Sequence, residues 1–333
     1  MKDAAMIISR TPFRVSFFGG GTDYPDWYRE HGGAVIAVAI AKYCYLSCRW
    51  FQNFFDAKHR IVYNRIELCG AIDEIEHPSV RACLRHFGVT DGVEIIHNAD
   101  LPARSGLGSS SSFTIGLLNA LQALTARPQL GRQALADLAI HLEQEVMGES
   151  VGSQDQMMAA HGGLNRLSFD AKGCRAHPLT LPQERLENLE RHMLLFWTGL
   201  SRNASEIAAH QIGNIGHKQP ELRAMLHLVD QAEDILLGSG DWGEMGRLMH
   251  ESWTIKRGLS RHITSDQIDA IYHTARANGA LGGKLLGAGG GGFFLVLARP
   301  EDHEGIRAAL SPLICTPVKF DHVGSQIIFQ SRD

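Results

Sequence analysis

Apolar residues recur along the chain with two periods, and the change from one to the other sets out the expected elements. Residues 6–18, MIISRTPFRVSFF, are rich in β-branched and aromatic side chains and stop at Gly19-Gly20-Gly21, which predicts a strand ending in a tight turn. A second apolar run, AVIAVAIAKYCYLSCRW over 34–50, and VEIIHN over 93–98 read as further strands. The period then lengthens. Phe113, Leu117, Leu118, Leu121 and Leu124 recur at helical spacing. Leu135, Leu138, Leu142 and Val146 form one stripe of a helix over 132–148, with Gly148 placed to end it. Leu222, Met225, Leu226, Val229 and Ile235 mark a helix near 220–238. Residues 264–278 open with Thr264 three positions before Gln267, a capping-box pattern, and close on Gly279. A glycine-rich segment over 282–292 leads into the strand FFLVLA.

The prolines and polar cluster of HPLTLPQERLENLE, 177–190, suggest a division into residues 1–185 and 186–333. At 333 residues, 44% apolar and 20% charged, the chain is long enough for two cores and too apolar for disorder. A net charge of −4 gives no basic footprint for nucleic acid or an anionic membrane, so an anionic ligand needs a local site. Cys44, Cys48, Cys69, Cys83, Cys174 and Cys315 are dispersed without metal-ligand spacing and read as free thiols. No apolar run reaches leader or transmembrane length, so a cytoplasmic location is expected.

Three glycine-rich loops carry the candidate chemistry. In LPARSGLGSSSS, 101–112, glycines precede four serines at a helix start, where unpaired amides and the helix dipole favour an anion. One serine would be enough for a cap, so the other three point to a phosphate cradle. The segment GAGGGG, 287–292, satisfies GxGxxG, but with a helix expected before it and a strand after it the dinucleotide reading fails. The bland alternative there is a crowded turn where two backbones touch. In FFGGGTDY, Asp23 beside three glycines suits a polyhydroxylated ligand, since an ionised carboxylate accepts hydrogen bonds from sugar hydroxyls.

Taken in order, TPFRVSFFGGGTDY, LPARSGLGSSSS and KLLGAGGGGFFLVL resemble the three motifs of the GHMP small-molecule kinases, from about Arg10 to Val296. The segments RVSFFGGGTDYP, GESVGSQDQ and WTGLSRNAS are most similar to the subgroup of bacterial heptose 7-phosphate kinases. The resemblance implies an α+β, two-domain fold: an N-terminal domain like ribosomal protein S5 domain 2, a ferredoxin-like C-terminal domain, and a site between them. It implies ATP and Mg²⁺ as cofactors, a small sugar phosphate as substrate, no nucleic-acid or membrane partner, and room for a homo-oligomer.

By the motif match, Pro102, Arg104, Ser105, Gly106, Leu107, Gly108, Ser109, Ser110 and Ser111 would surround the ATP phosphates. Ser110 and Glu143 would hold the metal, with Glu145 as the fallback. Asp155 would orient and deprotonate the acceptor hydroxyl, and Arg14 would neutralise charge. Gly20, Gly21, Thr22, Asp23, Gly152, Gln154, Gly289 and Gly290 would surround the sugar. Gly20-Gly21 replace the bulky Glu-His pair of galactokinase and leave space for a longer sugar. Arg202 and Lys256 are candidates for its remote phosphate, Lys256 because it falls on the helix face of Leu248. A kinase of an unphosphorylated sugar and a non-catalytic sugar sensor remain open at this point.

Overall fold

Two long strands, paired antiparallel, form the spine of a computed structural model that describes residues 5–52, 57–201 and 204–331. β1 (Met6–Phe18) alternates in burial at its start and is buried on both faces from Thr11 onward. After α1 (Pro25–His31), β2 (Gly33–Trp50) runs back beside it for eighteen residues. β3 (His59–Val62), β4 (Ile66–Cys69), α2 (Pro78–His86) and β5 (Val93–Ala99) follow. Next come α3 (Ser109–Leu124), α4 (Arg132–His141), α5 (Gln154–His161), β6 (Leu164–Asp170) and β7 (Gly173–Pro178). β2 divides its hydrogen bonds: its first half pairs with β6 and its second half with β5. Helix α3 lies against β1 and β2 and is buried on nearly every side, as the apolar content around its whole circumference requires.

The second half supplies α6 (Gln183–Arg191), β8 (Met193–Trp197), α7 (Ala204–Asn214), α8 (Gln219–Leu237), α9 (Trp242–Arg257) and α10 (Asp266–Ala277). It ends with β9 (Ala280–Leu285), β10 (Phe293–Ala298), α11 (His303–Ala309), β11 (Ile314–Thr316) and β12 (Gln326–Gln330). Its four-stranded antiparallel sheet has the order β11-β8-β10-β9. The expected division at residue 185 falls inside α6, and β12 carries the end of the chain back to pair with β1. Asp321 secures that return, its amide on the Ala39 carbonyl at 2.9 Å and its carbonyl taking the Gly163 amide at 2.8 Å.

Three local expectations are corrected. The 132–148 helix does not run through: α4 stops at His141, and Leu142–Val146 form one wider turn of the π type. The cap of α10 is Ser265, whose hydroxyl accepts from Ile268, while Thr264 spends its hydroxyl on Asp269. A strand, β9, precedes the GAGGGG segment as well as following it, so the dinucleotide fingerprint fails for lack of a helix after the glycines. Cys44 and Cys48 are buried on one face of β2, and the six cysteines are free. Among the described residues no helix is long and apolar enough to cross a membrane.

Helix α9 presses onto β9 where glycine meets glycine: a Cβ on Gly282 would lie 2.1 Å from the Gly246 carbonyl oxygen. A side chain here must push the helix off its sheet. Gly282→Ala is expected to lower stability by about 1–3 kcal/mol, the usual range for overpacking, as read by urea unfolding. Wild-type stability in that variant would mean the crossing is loose.

Candidate active site

The cleft between the sheets encloses about 420 Å³, and its floor is the start of α3. Gly106 and Gly108 hold φ of +78° and +77°, a left-handed backbone that glycine adopts without strain. Gly108 is the N-cap residue and no side chain caps the helix; the first in-helix bond shown is from the Ser112 amide to the Gly108 carbonyl, 2.9 Å. The amides of Ser109, Ser110 and Ser111 precede it and belong to the turn that helices leave unpaired. Three of the four serine hydroxyls are engaged within the protein. Ser109 accepts from the Arg104 amide, Ser111 donates to Glu143, and Ser112 donates to the Pro12 carbonyl. Ser110 is exposed at the mouth.

The third glycine segment backs this loop. A Cβ on Gly106 would sit 2.5 Å from the Leu286 carbonyl oxygen, and one on Gly292 would sit 2.4 Å from that of Ser105. Gly289 and Gly290 do not reach the cleft: the first abuts Ile263, and the second donates its amide to the Ile263 carbonyl. Gly287 and Ala288 line the cleft in their place. Arg104 also lines it, but Pro102 does not, and Leu107 and Ser105 are fully buried. Leu107 contributes its carbonyl, which takes the Arg14 amide at 3.0 Å.

Arg14 and Asp155 meet as a fork. Nε of Arg14 donates to one carboxylate oxygen at 2.7 Å and Nη2 to the other at 2.8 Å, while Nη1 donates to the Gly106 carbonyl at 2.6 Å. Planar guanidinium geometry matches a carboxylate in this way, and each oxygen keeps a further lone pair. Asp155 sits in the first turn of α5, beside Gly108: a Cβ there would be 3.3 Å from the carboxylate carbon.

Glu143 lies on the wide turn and is fully buried. Its Oε2 accepts from Ser111 and from Gln156, whereas Oε1 has no partner. Burial pushes this carboxyl up to about 7. The serine on Glu143 is Ser111, one position beyond the expected Ser110. No cluster of three or more His, Cys, Asp or Glu that could hold a metal occurs among the described residues. A single orphaned carboxylate oxygen beneath a phosphate cradle does fit Mg²⁺, which takes one or two protein oxygens and completes its shell from phosphate and water. Glu145, the fallback, lies near Arg29 on the surface.

On the acceptor side Asp23 is buried, and burial raises its carboxyl, with Asp155 adding to the effect. One oxygen takes the Gly21 amide at 2.9 Å and the other the Gln154 amide at 2.9 Å, leaving Gln154 Oε1 unpartnered. Gly152 must be glycine, because a Cβ would fall 1.9 Å from Asp23 Oδ2. Gly20 and Gly21 line the cleft. Thr22 does not: it is fully buried and its hydroxyl donates to the Gly19 and Ala34 carbonyls. Lys256 does look inward, buried in the last turn of α9. Arg202 lies outside the described residues. Sequence reasoning missed Lys284, a buried lysine of β9 whose Nζ donates to the Phe17 carbonyl at 2.9 Å. It also missed Ser16, a cleft residue with an unpartnered hydroxyl. Ser16 was open to discovery, since it stands two residues from Arg14 on one strand face.

Residues 75–163 match the GHMP kinases N-terminal domain and residues 225–312 the GHMP kinases C-terminal domain, together just over half of the chain. The chain belongs to the GHMP kinases. It is 29% identical over 318 residues to the D-glycero-alpha-D-manno-heptose 7-phosphate kinase of Campylobacter jejuni, covering 91% of this chain and 93% of that one. The crystal structure of a D-glycero-D-manno-heptose 1-phosphate kinase from Bacteroides thetaiotaomicron superposes with a TM-score of 0.74 at 24% identity, covering 96% and 97% of the two chains. Lactococcus lactis galactokinase complexed with galactose superposes at 0.75 and 18% identity over 96% and 95%. These superpositions establish the two-domain fold. As a GHMP kinase the protein is a phosphotransferase.

The buried carboxyl of this kinase gives a pH signature. Glu143 keeps its proton in the folded chain up to about pH 7 but loses it near the ordinary value of 4.5 when unfolded, so the folded state is weakened as pH rises between those values. In metal-free protein this contribution is on the order of 3 kcal/mol. Glu143→Gln should flatten the decline in stability between pH 5 and 8 and abolish stabilisation by added Mg²⁺. An unchanged decline, or an undiminished Mg²⁺ effect, in thermal unfolding would remove Glu143 from the metal role.

Proposed function

We propose that this GHMP kinase transfers the γ-phosphoryl group of ATP to the anomeric C1 hydroxyl of D-glycero-D-manno-heptose 7-phosphate, giving the 1,7-bisphosphate. The observation that carries the reading is the contact between the uncapped start of α3 at Gly108 and the carboxylate of Asp155, held on both oxygens by Arg14. A group gripped by the first and a hydroxyl held by the second would meet.

The roles follow from chemistry. Amides of Ser109 to Ser111 hold the polyphosphate. Asp155 takes the proton of the C1 hydroxyl on a lone pair that Arg14 leaves open. The C1 oxygen bonds to the γ-phosphorus while the bond from that phosphorus to the β–γ bridging oxygen breaks, and the electron pair leaves with ADP. Arg14 offsets charge on the acceptor oxygen and on the phosphoryl group. Glu143, with Ser111 or Ser110, would hold Mg²⁺, which supplies charge neutralisation on the phosphates when bound.

The acceptor identity is supported by the similarity to the Campylobacter jejuni enzyme along nearly the whole of both chains, and by the small Gly20 and Gly21 on the cleft lining. Asp23 and Gln154 Oε1 take sugar hydroxyls as acceptors of hydrogen bonds. A cytoplasmic setting follows from the use of ATP, and the product would serve activated-heptose synthesis for surface polysaccharide.

Release of ADP from Mg-ATP over a panel of heptose 7-phosphate, fucose and galactose tests the assignment. Heptose 7-phosphate is expected to give the highest kcat/KM; a preference for a sugar without phosphate would replace it. Asp155→Asn should lower kcat by about 10²–10⁴-fold and leave binding of a nonhydrolysable ATP analogue within a few-fold of wild type.

A further inference from the structure

We infer that Lys256 is a further catalytic cation of this site, acting on the phosphoryl group in transit and not on the remote end of the acceptor. The inference rests on the kinase reading above but not on which sugar is the acceptor.

Lys256 is 4% exposed, lines the cleft, and enters no ion pair among the described residues. Its Nζ donates to the Gly287 carbonyl at 2.6 Å and the Leu285 carbonyl at 3.2 Å, which leaves one of three N–H groups unspent. Gly287 lies against the phosphate loop, since a Cβ on it would be 2.6 Å from the Gly106 Cα. The Gly106 carbonyl in turn receives Nη1 of Arg14. Ammonium and guanidinium therefore reach the same pair of glycines, one through each domain, where the loop meets Asp155. That position, one contact from the loop, sets the ammonium beside a phosphoryl group in transit.

The neighbouring Lys284 is a different kind of lysine. Burial, then the charges of Lys256 and Arg14, hold its amine well below the ordinary range, and its Nζ ties β9 to the Phe17 carbonyl. Lys284 also lines the cleft, but the geometry at the Gly106–Gly287 contact belongs to Lys256. A loose transition state spreads charge over three equatorial oxygens of the phosphoryl group as the C1 oxygen bonds to phosphorus and the bridging oxygen departs with ADP. The free N–H of Lys256 is placed for one of those oxygens, and a buried cation acts there with little screening.

Burial and the like charge of Arg14 bring Lys256 down to about 8, with Asp23 pulling the other way. Arg14 on β1, Asp23 and Tyr24 on the first loop, Arg104 before α3, Glu149 before α5, Asp155 on α5 and Lys284 on β9 are the charged or titratable groups of the cleft it enters. The residue is charged below that pH and neutral above it, so kcat/KM should fall as pH rises through about 8.

Lys256→Met and Lys256→Arg test this with whichever acceptor the wild type turns over. Lys256→Met should lower kcat by about 10²–10³-fold with acceptor KM changed less than threefold. Lys256→Arg should recover part of that kcat and move the alkaline limb above pH 9, because guanidinium stays charged. A Lys256→Met enzyme whose kcat stays within threefold while acceptor KM rises tenfold would place the ammonium on the acceptor's remote end and overturn the inference. If the methionine variant fails to fold, an arginine variant with its limb still at pH 8 overturns it equally. Wild-type ADP release tests the kinase reading separately, and these ratios test Lys256.

Discussion

The site depends on a contact between two backbones. Gly106 and Ser105 of the phosphate loop lie against Leu286, Gly287 and Gly292 of the third glycine segment so closely that a single Cβ would overlap a carbonyl. The Phe293 amide then closes on the Ser105 carbonyl at 2.9 Å, which joins the four-stranded sheet to the start of α3. Glycine is required on both sides of this seam for the same reason. The backbone must come within van der Waals distance of another backbone, and at Gly106, Gly287 and Gly292 it must also take a positive φ. The seam fixes where the loop faces, and the amides of the first turn of α3 are left uncovered as a result. The GAGGGG segment is thus a packing device behind the start of α3, and its Gly289 and Gly290 face Ile263.

Around that seam the charged groups are few and each is held from more than one direction. Arg14 spends its fork on Asp155 and its remaining amine on Gly106, so a single side chain locks the acid to the loop. Asp23 is clamped by the Gly21 amide and Gln154, and Gln154 precedes Asp155 on the same helix turn. Rigid placement of this kind lowers the reorganisation needed during transfer, which is how preorganised electrostatics accelerate a reaction that has little covalent chemistry of its own. Glu143 is the exception. Its second oxygen is buried without a partner, an arrangement that costs stability wherever the carboxylate is ionised.

The features legible in the sequence are those set by backbone chemistry. Runs of glycine beside serine announced the loop at 105–112, and the period of Leu117, Leu121 and Leu124 announced the buried helix behind it. What was not legible was register. Successive residues on a helix turn by 100°, so whether Ser110 or Ser111 meets Glu143 is decided by the wide turn at 142–146 and by where α3 starts, neither of which composition encodes. Thr22 has the look of a sugar ligand, yet the turn after β1 consumes its hydroxyl on two carbonyls. Lys284 was overlooked because a lysine is ordinarily solvated, and only the register of β9 beside β10 shows it pointing into the interior. The pairing of Arg14 with Asp155, 141 positions apart, came from resemblance alone.

The cleft brings together charges of both signs, with Arg14, Lys256, Lys284 and Arg104 on its lining beside Asp155, Asp23 and Glu149. Burial works against the charge of two of these groups: it pushes the Asp23 carboxyl up and Lys256 down. An incoming polyphosphate changes the balance, because added negative charge raises the affinity of Lys256 for its proton and raises Asp23 further. Binding of the donor therefore keeps Lys256 in its charged form and makes Asp23 a weaker competitor for that charge. Asp155 differs from Asp23 in that both of its oxygens carry a donor from the one guanidinium of Arg14. The same guanidinium reaches the Gly106 carbonyl, so this ion pair also fixes the aspartate against the start of α3, where the backbone turns at Gly108.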